Sequence, residues 1–219
     1  MDFKEIKKDY RPIPFWSWND KLEPNETKRQ IRVMSNAGMG GFFMHARGGL
    51  KTDYMSDEWF ENVTAAVEQA EEEKMDAWAY DENGWPSGFG GGIVNGMGVD
   101  YQQKYLRLEC GEKQTETTII NKDGYHFYYE VNRFYVDVLD PKVTNKFLNE
   151  IYLPYYKRYR NQITGFFTDE PQATRDDVPW SFVMPEYYKN IDGEELRDKL
   201  IELFKPVGDY QRTRIRFWK

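Results

Sequence analysis

Four short apolar segments, each closed by polar residues, constrain this chain more than anything else in it. They are RPIPFWSWN at 11–19, GFFMH at 41–45, DAWAYD at 76–81 and ITGFFT at 163–168. Two stretches with apolar residues at helical spacing separate the first three. In one, Pro24 or Asn25 opens a helix, Ile31 and Met34 supply its buried stripe, and Gly38 is placed to cap its end. In the other, Ser56 caps a helix with Asp57 and Glu58 in its first turn, where the helix dipole favours acids. Trp59, Phe60, Val63, Ala66, Val67 and Ala70 line one face of that helix. Continuous apolar strands alternating with amphipathic helices predict parallel strands covered by helices.

The alternation breaks after residue 81. ENGWPSGFGGGIVNGMG is a glycine-rich loop. It lacks the lysine-plus-hydroxyl ending of a phosphate loop and the strand–glycine–helix spacing of a dinucleotide site, so both readings are rejected. Residues 104–138 read as antiparallel β structure: KYLRLEC, TETTII, a turn at Lys122-Asp123-Gly124, YHFYYEV and RFYVDVL. Asp140 can then cap a helix with Pro141 in its first position, running to about Arg160 with a kink expected at Pro154. Beyond the fourth strand lie a Pro- and Trp-rich loop, a helix from about Gly193 to Phe204, and DYQRTRIRFWK, which reads as a helix cut short.

The predicted class is therefore α/β: the first four units of a (β/α)8 TIM barrel with an inserted antiparallel subdomain. Residues 1–103 would hold barrel units one to three, residues 104–139 the inserted hairpins, and residues 140–219 the fourth unit and the start of the next helix. A whole barrel takes about 250 residues, so the C-terminal half of the barrel is expected to be missing.

Composition narrows the partners. Lys and Arg number 30 against 37 Asp and Glu, and the net charge of -7 argues against nucleic acid. No apolar run approaches the roughly 20 residues of a membrane helix, so no membrane partner is expected. MDFKEIKKDYRPIPFW has no apolar stretch after its charges, and the one cysteine, Cys110, suits a reducing compartment. Together these predict a cytoplasmic protein. Cys110 has no catalytic partner in view. With two histidines, a histidine-rich metal centre is not expected, and no cofactor is evident. Aromatic residues make up 17% of the chain, more than a core alone explains where they stand beside carboxylates and glycines in loops. Such faces stack on the C–H faces of sugars.

Each strand-like segment runs into a polar cluster: Trp16-Ser17-Trp18-Asn19, His45-Ala46-Arg47-Gly48-Gly49, Tyr80-Asp81-Glu82-Asn83-Gly84-Trp85 and Thr168-Asp169-Glu170-Pro171. In a (β/α)8 barrel the strand ends converge on one mouth, where catalytic groups sit. Glu170 is the first candidate for a general acid, because desolvation in such a mouth favours a protonated carboxyl group. Pro171 fixes the backbone beyond it. Asp169 is the second candidate, as a structural partner or hydroxyl ligand. Tyr80, Asp81, Glu82 and Trp85 offer acceptors and flat faces to a sugar, or else form a rigid turn. His45 could donate to a substrate hydroxyl or to Glu170, with Arg47 beside it. Trp16 and Trp18 are expected to alternate, one facing the core and the other the mouth or the helices, and Asn19 follows them at the strand end.

RPIPFWSWND, GGFFMHARGGL, YDENGWPSGFGGG and FFTDEP, in that order, resemble the α-L-rhamnosidase-type glycoside hydrolases of glycoside hydrolase family 106 and its relatives. The resemblance covers the chain from about Arg11 onward. It implies a catalytic (β/α)8 domain followed by β-sandwich domains, inverting chemistry and a calcium ion. It makes Glu170 a candidate catalytic acid and His45, Arg47, Asp81 and Glu82 candidate site residues. The chain departs from that pattern by ending after its fourth unit, without the later strands and the second carboxylate expected on them, and it shows no dense oxygen-ligand loop for calcium. The resulting expectation is a glycosidase acting on an oligo- or polysaccharide. The competing expectation is a non-catalytic carbohydrate-binding or interaction fragment.

Overall fold

The computed structural model describes residues 6–174 and 177–219. It is a mixed α/β fold whose described residues form two compact units, 6–93 with 147–171, and 94–146 with 172–174 and 177–219.

The first unit holds a parallel sheet of β1 (Phe15–Trp18), β2 (Gly41–Ala46), β3 (Asp76–Asn83) and β7 (Ile163–Phe167), in the order β1-β2-β3-β7. The other labelled elements of the chain are β4 (Gln102–Cys110), β5 (Thr118–Lys122), β6 (Tyr125–Val136) and β8 (Pro179–Trp180). The helices are α1 (Pro24–Asn36), α2 (Asp57–Glu73), α3 (Pro141–Phe147), α4 (Leu153–Tyr159), α5 (Met184–Asp192), α6 (Leu200–Phe204) and α7 (Tyr210–Phe217). As the sequence predicts, α1 begins at Pro24, and Ser56 caps α2 by accepting the Trp59 amide at 3.1 Å. Residues two apart in a strand share a face. One face of the parallel sheet accordingly carries Trp16, Trp18, Phe42, Met44, Ala77, Ala79 and Phe166, which pack with residues of α1, α2 and α4 into a single core. At about 25 cal/mol per Å² of apolar area, burial of these large side chains is the main force holding the helices to the sheet.

The expectation that Trp16 and Trp18 point to opposite faces is corrected. Being two residues apart, they lie on the same helix-packed side, their rings meeting edge to face at 5.4 Å.

The second unit holds an antiparallel sheet in the order β5-β6-β4-β8. The two strands expected at YHFYYEV and RFYVDVL are one strand, β6. Gln103 pairs with Asn132 while Gln102 pairs with Val136, so the intervening residues bulge instead of breaking the ladder. The segment before Gly193, expected as loop, contains α5. Pro185 sits in its first turn, and Gly193 (φ 75°) closes it in the left-handed region, so this glycine ends a helix and does not open one. A short 3-10 turn, Leu196–Asp198, precedes α6 where one longer helix was expected. The helix from Pro141, expected to be regular up to Pro154, changes type before it. It passes through a π-helical turn at Leu148–Tyr152, and Pro154 falls in the first turn of α4, where its missing N–H is not needed.

Candidate active site

The face of the parallel sheet opposite the helices is aromatic. Phe15, Phe43, Trp78 and Phe167 form a contiguous group, with Phe15 against Phe167 at 4.8 Å and Phe43 against Trp78 at 5.5 Å between ring centroids. Phe15 is 51% exposed, so this face is not sealed. Toward the C-terminal ends of the strands the same face continues as His45 and Tyr80, their rings 4.1 Å apart. His45 is buried, and neither ring nitrogen has a hydrogen-bond partner among the described residues. Burial first, and then the positive charge of Arg47, lower its pKa to about 4, against a smaller opposing pull from Asp169. It is therefore a neutral imidazole with one donor and one acceptor to offer. Burial likewise raises the Tyr80 phenol, with Asp169 the next cause, and its hydroxyl donates to the Gly84 carbonyl at 3.1 Å.

Asp81 is the hub that fixes the strand ends. Its Oδ2 accepts Tyr152 Oη at 2.5 Å and Thr168 Oγ1 at 2.7 Å, and its Oδ1 accepts Ser87 Oγ at 2.6 Å. Ser87 Oγ in turn accepts the Asp169 amide at 2.7 Å, and the Ser87 amide donates to the Asp169 carbonyl at 2.9 Å. One buried carboxylate thus ties the glycine loop, the end of β7 and the π-helical turn together. A bulge makes room for this: Met44 pairs with Ala79 but Ala46 pairs with Asn83, which pushes Asp81 and Glu82 out of the regular ladder.

Glu82 is 0% exposed. Its Oε1 accepts three successive amides, from Gly88 (2.8 Å), Phe89 (2.6 Å) and Gly90 (2.6 Å), while Oε2 is buried with no partner. Burial raises its pKa to about 7, outweighing the three amides that favour the anion. An oxygen with nothing to accept from suits a carboxyl group that keeps its proton near neutrality.

Asp169 and Glu170 follow β7. Asp169 is half-buried, and its charge reaches both His45 and Tyr80. Glu170 is exposed, not in the desolvated setting expected of it, because it lies beyond the end of β7 on the surface; it adopts φ 48°, the left-handed region that a residue with a Cβ rarely enters. Residues held there cost on the order of 1 kcal/mol and cluster at functional sites.

The predicted site residues thus sort into groups. Arg47 and Asp169 each come within electrostatic reach of His45 and Tyr80. Asp81 and Glu82 lie behind them, committed to internal hydrogen bonds. Trp85 is 52% exposed on its turn. Trp18 and Asn19 line a separate cavity of 80 Å³ between the end of β1 and α1, together with Glu26 and Gln30. Tyr152 and Ser87 were not foreseen. A lone tyrosine mid-helix and a lone serine in a glycine loop carry no spacing signal; only the fold brings them to Asp81. Among the described residues no three His, Cys, Asp or Glu side chains gather as a metal shell. Nor, among them, is any helix long and apolar enough to cross a membrane.

No protein-family description matches the chain, and no curated protein matches it. Among solved structures it is similar to one described as the structure of rhamnosidase from Novosphingobium sp. PP1Y, with a TM-score of 0.40 and 21% identity. That match covers 54% of this chain and 12% of the other, so the chain corresponds to a small part of that protein's length.

Proposed function

We propose that this chain belongs to the catalytic region of a glycoside hydrolase acting on an oligo- or polysaccharide, α-L-rhamnosidase-like, with its parallel sheet as part of a (β/α)8 barrel. The observation that carries the reading is the meeting of an unpartnered neutral His45, a half-buried Asp169 and an aromatic sheet face at the C-terminal ends of parallel strands. A sugar needs acceptors and donors for its hydroxyls and a flat apolar surface for its ring, and this surface offers all three. Glu170 is the proposed acid for the leaving oxygen, held in its unusual backbone conformation between the Asp81-anchored Asp169 and Pro171. Asp169 is the proposed hydroxyl ligand or companion carboxylate. Carboxyl groups about 5 Å apart give retention of configuration, and roughly 6.5–9.5 Å inversion.

Binding without hydrolysis is the second reading. It is favoured by the engagement of both β3 carboxylates, Asp81 and Glu82, in internal hydrogen bonds, which removes them as the second catalytic group. The test measures sugar release from aryl α-L-rhamnosides and from oligosaccharides, beside calorimetric binding of the same compounds. Release that is lost in Glu170→Gln supports the hydrolase. Binding without release selects the second reading, and neither binding nor release rejects both.

A further inference from the structure

Arg47 is half-buried at the start of the loop after β2, and its backbone is fixed on both sides. Its amide donates to the Trp18 carbonyl at 3.0 Å and its carbonyl accepts the Leu50 amide at 3.1 Å. Gly49, at φ 100°, is pressed against Asn19, where an added Cβ would stand 2.8 Å from the Asn19 carbonyl oxygen. The turn is built rigidly, yet the guanidinium it presents has no hydrogen-bond or ion-pair partner among the described residues. This is notable in a chain with 37 acidic residues. Asp169 influences the same His45 ring but does not approach within ion-pair distance of Arg47. The neighbouring His45 is only 2% exposed and also lacks partners at both nitrogens.

A guanidinium carries five donors in a planar fork that matches a carboxylate or other oxyanion. Leaving it half-desolvated without an acceptor is unfavourable, and so is burying an imidazole with neither nitrogen bonded. One ligand group resolves the first: an oxyanion that takes the fork of Arg47, bound over the buried ring of His45. Resting on the carbohydrate reading above, we infer that the saccharide recognised here is an acidic one, carrying its oxyanion on the unit bound beside Arg47 and His45. Asp169 then accepts hydroxyls of the same unit from the other side. A sugar carboxylate, sulfate ester and phosphate ester share this chemistry.

Calorimetric titration of the whole chain with a short oligouronide, its carboxyl-reduced neutral counterpart, and O-sulfated and O-phosphorylated neutral oligosaccharides tests the inference. The expected result is a preference for an anionic form over the neutral one of about 10- to 100-fold, the range of a charge-assisted hydrogen-bond pair. Which of the three anionic probes is preferred identifies the source of the charge. Arg47→Gln should collapse that preference, and Arg47→Lys should restore only part of it, because an ammonium cannot form the fork. Unchanged thermal unfolding of the variants confirms that they are folded. For wild type alone, anionic binding should weaken with added salt while neutral binding does not. Equal affinity for neutral and anionic forms overturns the inference and leaves the carbohydrate reading standing. Failure of every saccharide to bind overturns both.

Discussion

Gly90 donates its amide to Glu82 Oε1 across 2.6 Å, and it does so at φ 53°, where any Cβ is strained. A Cβ there would also meet Phe147 Cε2 at 2.8 Å and Ile151 at 3.1 Å. Gly90→Ala should therefore destabilise the protein by about 2 kcal/mol or more, from strain and overpacking together. Gly96, with no atom within 4 Å of an added Cβ, is the control, and Gly96→Ala should stay within about 0.5 kcal/mol of wild type. Urea unfolding of both variants decides it: similar losses at the two positions would show that the Glu82 cradle imposes no special demand.

Glu82 and His45 make stability depend on pH in opposite senses. Glu82 is raised from 4.5 to about 7, so the unfolded chain ionises first as pH climbs through that window and stability falls. His45 is lowered from 6.5 to about 4, so the unfolded chain takes up its proton first as pH drops through that window, and stability falls on acidification. In wild type the two largely cancel across their shared range. Glu82→Gln should leave a protein that loses stability as pH falls, and His45→Gln one that loses it as pH rises. Each slope should approach about 1.4 kcal/mol per pH unit at most. Denaturant melts at about pH 5 and about pH 7 read the sign directly, and slopes of the same sign in both variants would refute the assignment.

Asp81 should matter to structure more than any other acid of the β3 end. Asp81→Ala leaves the hydroxyls of Ser87, Tyr152 and Thr168 without their common acceptor, at a cost on the order of 3 kcal/mol. Tyr152→Phe removes one donor and should cost roughly 1 kcal/mol. If Asp81→Ala melts like wild type, the residue is not the anchor described.

Glu170 gives the sharpest contrast between stability and function. Glu170→Gln should slow cleavage of sugars with poor alkoxide leaving groups by about 10²–10⁴-fold and activated aryl glycosides much less, with binding retained. Glu170→Gly should be equally inactive on the first class yet more stable, by up to about 1 kcal/mol, because glycine is unstrained at φ 48°. Wild-type rates on both substrate classes in the Gln variant would remove Glu170 as the acid. A Gly variant that loses stability would mean the side chain is held by contacts that outweigh the strain.

The parallel sheet was legible because its strands are continuous apolar runs and its helices carry clear caps, as at Ser56. Such local signals survive without knowledge of the partners. The second unit was less legible. Trp180 joins a sheet through two residues, and α5 lies in a segment whose proline and tryptophan read as loop; what makes it a helix is burial of Pro185 and Tyr188 in the folded unit, which is tertiary information. At the site, residue types at strand ends pointed to His45, Arg47 and Asp169. The direction each side chain takes was not accessible, because the bulge in β3 turns Asp81 and Glu82 inward against simple alternation. The same limit hid Tyr152 and Ser87, whose roles exist only through their contact with Asp81.

The order β1-β2-β3-β7 has one more consequence. Among the described residues β2 and β3 are bonded on both sides, whereas β1 and β7 each have one neighbour. Half the main-chain amides of the outer strands therefore face no ladder, and protection against deuterium should be graded across the sheet, strongest at Phe43 and Ala79 and weakest on the outward amides of β1 and β7. Whatever covers those two strands in a larger assembly would announce itself as protection gained there first, before any catalytic readout changed.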